Sequence, residues 1–87
     1  MIVVSDTSPL TALFTIGSAE ILLQLFGEVV IPEAVRDEMR RHHATLPAWV
    51  RVATVNNPGE AHRFALSVDI GEAEAIELAK ELHADLL

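Results

Sequence analysis

Acidic side chains are the best candidates for chemistry in this 87-residue chain. Asp6 directly follows residues 2–5 (IVVS), an apolar, β-branched run that predicts a buried strand. Ligands of open α/β sheets bind beyond the carboxyl ends of strands, where Asp6 would lie. Its carboxylate could hold a metal ion, or it could serve in a turn or helix cap. The pair Ser8-Pro9 predicts the start of the next helix, which leaves Asp6 free of that second role.

Glu38 is the second candidate and lies in residues 32–43, where an initial proline, early acids and late bases predict a helix. Apolar residues at every fourth position predict the buried side of this helix, and Glu38 lies beside that stripe. A carboxylate at such a boundary could point into a cleft next to the sheet. Alternatively, it could pair along the helix with Arg41 or His42.

Glu72 lies near the start of the clearest predicted helix, residues 69–83. Asp69 would be the N-cap and Glu72 the third helical residue, which is the pattern of a capping box. The alternative is that Glu72 is a ligand in the first turn, at the positive end of the helix. Glu74 is the next candidate after it.

The last predicted helix has an apolar side and a polar side. The apolar residues are Ile76, Leu78, Ala79 and Leu82. The polar side is predicted to carry Glu77, Lys80 and Glu81. Such a division is typical of a helix that packs one face on a sheet.

An α/β fold is predicted to position these acids. Strands are expected at residues 2–5, 28–31, within 46–55 as a short edge strand, and at 84–87, and helices at 9–16, 19–26, 32–43, 60–67 and 69–83. Strands that alternate with helices indicate a parallel sheet covered on both faces. The length permits one domain with a modest core.

Composition limits the possible functions. The formal net charge of −7 disfavours passive electrostatic binding to nucleic acid, because phosphate contacts require Lys and Arg. It is compatible with an acidic pocket that holds cations, or with a basic partner. Cysteine is absent, which excludes disulfides and thiolate metal sites. His42 and His43 follow two arginines and are interpreted as a basic helix end rather than a zinc site.

Hydropathy bears on location and assembly. No apolar run reaches the roughly 18 residues of a membrane span, and no signal peptide is evident. We therefore predict a cytoplasmic location and no membrane partner. The hydrophobic fraction of 51% is high for a small domain, and chains of this kind often bury surface between subunits. A homo-oligomer is accordingly expected.

Three stretches of the chain together resemble the PIN-domain family, in particular its VapC-like toxin ribonucleases. They are VVSDTSPLTAL near the start, FGEVVIPEAVRDEM in the middle and LSVDIGEAEAIELAKELHADLL at the end. The resemblance implies a three-layer α/β/α fold with a mostly parallel sheet. It also implies one partial domain over residues 1–87, without the C-terminal strand and helix of the full family fold.

The resemblance further implies a Mg²⁺- or Mn²⁺-dependent endoribonuclease that acts as the toxin of a toxin–antitoxin pair. RNA would be its substrate and an antitoxin protein its partner. By position in the family's motifs, Asp6, Glu38 and Glu72 would be catalytic and would hold the metal. Ser8 would orient Asp6 or a water molecule. Oxygen ligands of this kind suit both ions.

One departure from the family pattern leaves a second function open. The family's fourth acidic site has no counterpart in these 87 residues, and Asp85 precedes the apolar run that this site should follow. The alternative function is therefore a truncated, inactive PIN-like remnant that acts as an oligomer or as a partner-binding module. A small α/β domain without any site is a third possibility.

Overall fold

A sheet of four parallel strands, with helices on both faces, forms the centre of the computed structural model, which describes residues 2–43, 45–66 and 68–87. In these ranges the elements are β1 (Val3–Val4), α1 (Thr7–Thr15), α2 (Glu20–Phe26), β2 (Val29–Pro32), α3 (Glu33–Arg40), β3 (Val50–Ala53), α4 (Pro58–Phe64), α5 (Ile70–Leu82) and β4 (Asp85–Leu86). The predicted α/β class with a parallel sheet is therefore confirmed. The PIN-like α/β/α arrangement is confirmed with it.

The strand order is β3-β2-β1-β4, so β1 and β2 are the central strands. In β1, Val3 is paired with Val29 of β2 on one side and with Asp85 of β4 on the other. The predicted edge position of β3 is confirmed, and β4 forms the opposite edge. Since the strands are parallel, the loops that follow β1 and β2 begin at the same end of the sheet, where the carboxyl ends of the strands lie.

Alternate residues of β2 divide the core into two layers. Val29 and Ile31 pack with Leu10, Val35 and Met39, which come from α1 and α3. The opposite face of the sheet is covered by α5, in a cluster of Val4, Val30, Ala75, Leu78 and Ala79. The predicted stripe of Ile31, Val35 and Met39 is fully buried. Burial of such a side chain contributes about 1.5–3 kcal/mol relative to an exposed one.

Helix α1 begins earlier than the sequence predicts. Its N-cap is Asp6 rather than Ser8, because Asp6 has extended backbone angles and its Oδ1 accepts a hydrogen bond from the Thr7 N–H at 2.7 Å. The prediction that Asp6 has no capping role is therefore wrong. Pro9 lies in the first turn, where a missing N–H costs little because the first N–H groups of a helix have no partner within it.

Helix α5 has the predicted limits. Asp69 is the N-cap, and its Oδ1 accepts from the Glu72 N–H at 2.8 Å. The helix ends at His83, whose left-handed backbone (φ 51°) terminates it. The prediction that Glu77 lies on the polar side is wrong, because its exposed fraction is 2%. In the part of the chain that the structure describes, no helix is long and apolar enough to cross a membrane.

Candidate metal centre

Asp6 lies where the central strand β1 gives way to α1. Its carboxylate is partly buried, and this loss of hydration raises its pKa. The hydrogen bond from the Thr7 N–H opposes that shift, whereas the nearby charges of Asp69 and Glu38 add to it. The side chain therefore combines a capping hydrogen bond with repulsion from two other acids.

Glu38, in α3, has its side chain close to Asp6. Its Oε2 accepts a hydrogen bond from the Thr7 hydroxyl, so the residue after Asp6 also orients Glu38. Among the ion pairs of the described residues, none joins Glu38 to Arg41 or His42. Glu38 thus points toward the start of α1, as the cleft-facing alternative predicts.

Gly71, in the first turn of α5, marks the point where acids from three segments meet. A Cβ atom at this glycine would lie 3.3 Å from Glu38 Oε2, 3.4 Å from Asp69 Oδ1 and 3.6 Å from Asp6 Oδ1. All three carboxylate oxygens therefore lie within 3.6 Å of one point that no side chain occupies. A larger residue than glycine would crowd them.

Glu72 belongs to the same electrostatic group. The charge of Asp69 raises the pKa of the Glu72 carboxyl most, followed by partial desolvation and the charges of Asp6 and Glu38. Asp6 and Glu72 also line one side of a cavity of about 180 Å³, whose other walls are apolar side chains of α5 and the C-terminal end of the chain. We call Asp6, Glu38, Asp69 and Glu72 the acid group.

The donor chemistry of the acid group fits a hard divalent cation. All of its side-chain donors are carboxylate oxygens, the ligand type that Mg²⁺ and Mn²⁺ prefer. None of the ion pairs within the described ranges involves these four residues, so no salt bridge among them offsets their mutual repulsion. The free space beside Gly71 is bordered by three of the four carboxylates.

The acid group has an open arrangement. Among residues 2–43, 45–66 and 68–87, no three His, Cys, Asp or Glu side chains stand in positions that could hold a metal ion together. Closing the acid group on a cation would therefore require a side-chain movement, with Glu38 and Glu72 turning toward Asp6 and Asp69, which capping hydrogen bonds hold in place.

The remaining predicted residues lie at or near this group. Ser8 is exposed, and no hydrogen bond from its side chain to Asp6 occurs among the described residues. The hydroxyl that contacts an acid is instead that of Thr7. Glu74 faces another way, since its Oε1 accepts from the Ala34 N–H at 3.2 Å in the first turn of α3.

Sequence reasoning misses Asp69 and Thr7 as members of this region. The sequence predicts Asp69 as a helix cap, which it is, but its cap geometry also places Oδ1 beside Gly71. The available signal is the glycine two residues later, because a residue without a side chain in a helix's first turn permits close approach. Thr7 gives a weaker signal, as one of two adjacent hydroxyls after an acid.

Comparison with known proteins identifies the family but no individual relative. No curated protein and no solved structure matches the chain. The finer likeness to VapC toxins accordingly stays a prediction. A family model described as a PIN domain matches residues 2–87, which is nearly the whole sequence, and the chain therefore belongs to the PIN-domain family.

Proposed function

We propose that this protein is a divalent-metal-dependent endoribonuclease whose acid group holds Mg²⁺ or Mn²⁺. The observation that carries the proposal is the meeting of carboxylates from three separate segments around Gly71. Membership of the PIN-domain family supports it, because the family's members are typically metal-dependent ribonucleases. The predicted ligands Asp6, Glu38 and Glu72 are retained, and Asp69 is added to them.

Each residue has a defined part in the proposed chemistry. The bound cation would lower the pKa of a water nucleophile and offset the charge of the scissile phosphate. Capping hydrogen bonds already hold Asp6 and Asp69 in place. Each carboxylate would therefore lose less rotational freedom when the cation binds. The Thr7 hydroxyl orients Glu38. Ser8, which is exposed nearby, would contact a water molecule or the substrate.

The test is cleavage of single-stranded RNA in the presence of Mn²⁺ by the wild type and by Asp6→Asn. We expect the variant to lose about 100-fold or more in rate, since a neutral amide replaces a ligand while still capping α1. Asp37→Asn is the matched control, because this exposed acid of α3 pairs with Arg36. Equal cleavage by wild type and Asp6→Asn would refute the assignment.

The finer proposal is that the protein is the toxin of a toxin–antitoxin pair. Its support is the VapC-like resemblance, together with exposed apolar side chains on the α1–α2 side: Ile16, Ile21 and Leu25. Such side chains commonly mark an interface with another protein. Co-expression with the product of an adjacent reading frame should relieve any growth inhibition that the chain causes alone.

A second candidate function is an inactive oligomer or partner-binding module. The same exposed apolar side chains favour it. Multi-angle light scattering over a dilution series distinguishes the assemblies. A monomer that persists at all concentrations would count against the oligomer, and RNA cleavage would count against the inactive remnant.

A further inference from the structure

A groove that carries several polar side chains adjoins the acid group between α1 and the end of α3. Its volume is about 380 Å³, and it is lined by Thr7, Ser8, Thr11, Ala12, Glu38 and His42. Thr7 and Glu38 belong to the groove and also contact each other beside Asp6. A molecule bound in the groove would therefore continue directly into the proposed metal centre.

The distribution of cations indicates where a polyanion could approach this acidic protein. Four of the six Lys and Arg residues form ion pairs with acids: Arg36, Arg51, Arg63 and Lys80. For Arg40 and Arg41, no ion pair occurs in the described part of the chain. Both lie at the C-terminal end of α3, next to His42. The positive charge without an ion pair among the described residues thus lies at the C-terminal end of α3, where the following residue, His42, lines the groove.

Helix geometry separates the two arginines. Successive helical residues are rotated by about 100°, and Arg41 retains helical backbone angles as the C-cap of α3. Arg41 therefore lies about 60° from Glu38 around the helix and Arg40 about 160° away, so Arg41 is the nearer of the two to the groove wall that Glu38 forms. The two neighbours have the same charge and are both exposed, but they are placed differently with respect to the groove.

The hydroxyls of the groove differ in what they can offer. Thr7 donates its hydrogen to Glu38, and Thr11 donates its hydrogen to the sulfur of Met39 at 3.4 Å. Each oxygen is then left as an acceptor, because a hydroxyl has one hydrogen and two lone pairs. A ligand that leaves these two hydrogen bonds in place would supply a donor to each oxygen. A ribose 2′-hydroxyl is such a donor, and deoxyribose lacks it.

We propose that this groove binds the ribonucleotide next to the scissile phosphate, with Arg41 and His42 on a phosphate and Thr11 accepting from the ribose 2′-hydroxyl. The inference rests on the proposed nuclease function, which supplies the scissile phosphate. It goes further because it gives the bound strand a path over the surface, from the acid group along the groove to the end of α3. It also provides a contact that distinguishes RNA from DNA.

The test measures binding separately from cleavage. Fluorescence anisotropy with a labelled single-stranded RNA, and with DNA of the same sequence, is recorded in EDTA so that no cleavage occurs. We expect Arg41→Gln to weaken binding of both strands about five- to tenfold and to lower the salt dependence by about one phosphate contact. Arg40→Gln, which removes the same charge from the other side of α3, should have a clearly smaller effect.

Thr11→Val probes the sugar contact. This near-isosteric change removes the acceptor oxygen, so RNA binding should weaken about threefold while DNA binding stays unchanged. Circular dichroism melting of each variant checks that the fold persists. Loss of affinity for both strands alike would overturn the sugar contact.

The groove and the nuclease assignment can fail independently. Equal effects of Arg41→Gln and Arg40→Gln, or no RNA binding up to about 0.1 mM protein, would overturn the groove whatever the cleavage assay shows. If the wild type does not cleave RNA in Mn²⁺ but the Arg41 contrast holds, the groove stands and the nuclease assignment fails. If cleavage occurs and Arg41→Gln leaves KM unchanged, the groove is wrong and the nuclease assignment stands.

Discussion

Helix α5 carries acids at both of its ends, and the two sets have opposite surroundings. Near the C-terminal end, the two carboxylate oxygens of Glu81 accept hydrogen bonds from the N–H groups of Asn56 and Asn57, at 2.8 and 2.9 Å. Glu77 is buried beside Glu81, and Lys80 Nζ lies 3.6 Å from Glu77 Oε1. Nearly every charge in this set has a compensating group.

The pKa directions follow from these contacts. The hydrogen bond to Glu81 and the burial of Glu77 raise the pKa of Glu77, which therefore favours the protonated form. Burial alone would raise the pKa of Glu81, but the hydrogen bonds from Glu77, Asn56 and Asn57 outweigh it and lower the value. The two pKa values therefore shift in opposite directions, which reduces the repulsion between the two carboxyl groups.

The acid group at the N-terminal end of α5 has no such arrangement. Asp6 and Glu72 both have raised pKa values, with the charges of other acids among the causes. The capping hydrogen bonds there relieve only part of the repulsion. Acids that stabilise a fold usually have compensating donors or cations, as the C-terminal set does. Acids that repel one another without such partners are typical of a binding site, as in the acid group.

The largest effect that would sharpen this comparison is expected from Gly71→Ala. The new Cβ would press on the Glu38 and Asp69 carboxylates at 3.3 and 3.4 Å and occupy the space between them. We expect Mn²⁺ affinity and RNA cleavage to fall about tenfold or more. Stability should be retained, because alanine is the better helix former by about 1 kcal/mol.

Gly59→Ala in α4 is the matched control for this change. A Cβ there would have ordinary contact with Asn57 Oδ1 at 3.5 Å and lies away from the acid group. It should leave Mn²⁺ binding, measured by isothermal titration calorimetry, unchanged. If Gly71→Ala binds Mn²⁺ as the wild type does, the convergence of carboxylates at Gly71 has no role in metal binding.

At the other end of α5, Glu81→Gln should reduce stability rather than activity. The amide has a single acceptor oxygen for the N–H groups of Asn56 and Asn57, and it no longer accepts a charge-assisted bond from Glu77. We expect the free energy of unfolding at pH 7 to fall by about 1 kcal/mol in urea denaturation. Glu77→Gln should cost less, because folding raises the pKa of Glu77 and so disfavours its charged form, whereas it lowers that of Glu81. The reverse order would show that the charge of Glu77 contributes more to stability than the charge of Glu81.

Much of the fold could be predicted because its signals are local. The apolar run before Asp6, the stripe of Val35 and Met39 and the Asp69 cap each depend on neighbours in sequence, and each appears in the structure. The burial of Glu77 could not be predicted in this way. Its partner Glu81 is fixed by a loop more than twenty residues away, and helical periodicity carries no information about that loop.

The candidate site is predictable as residue types but not as an arrangement. The sequence presents capping and ligation as alternative roles for Asp6, whereas one carboxylate can do both, with Oδ1 accepting from Thr7 while facing Gly71. The same holds for Asp69. The distance between Asp6 and Asp69 depends on how α5 packs against α3 and β1. This packing is a tertiary property, and the spacing of motifs in the sequence does not predict it.

The smallest expected effect concerns how stability changes with pH in the absence of metal. This measurement compares the acids at the two ends of α5 most directly. Because folding raises the pKa of Asp6 above its ordinary 3.8, protonation stabilises the native state. That contribution is complete below pH 3.8 and is lost as pH rises through the folded value. For Glu81, whose folded pKa is lowered, the contribution is present above 4.5 and is lost as pH falls through the folded value.

Thermal melting in EDTA across the acidic pH range should therefore separate the variants. Because Asp6→Asn removes the contribution that is lost as pH rises, the melting temperature of this variant should rise relative to the wild type above about pH 4. Glu81→Gln should instead flatten the loss of stability on the acid side, since the variant has no carboxylate to protonate. If both variants gave melting temperature profiles of the same shape against pH, the pKa values at the two ends of α5 would not be shifted in opposite directions. A difference in melting temperature between wild type and Asp6→Asn that stays constant above pH 4 would show that the repulsion on Asp6 does not affect stability.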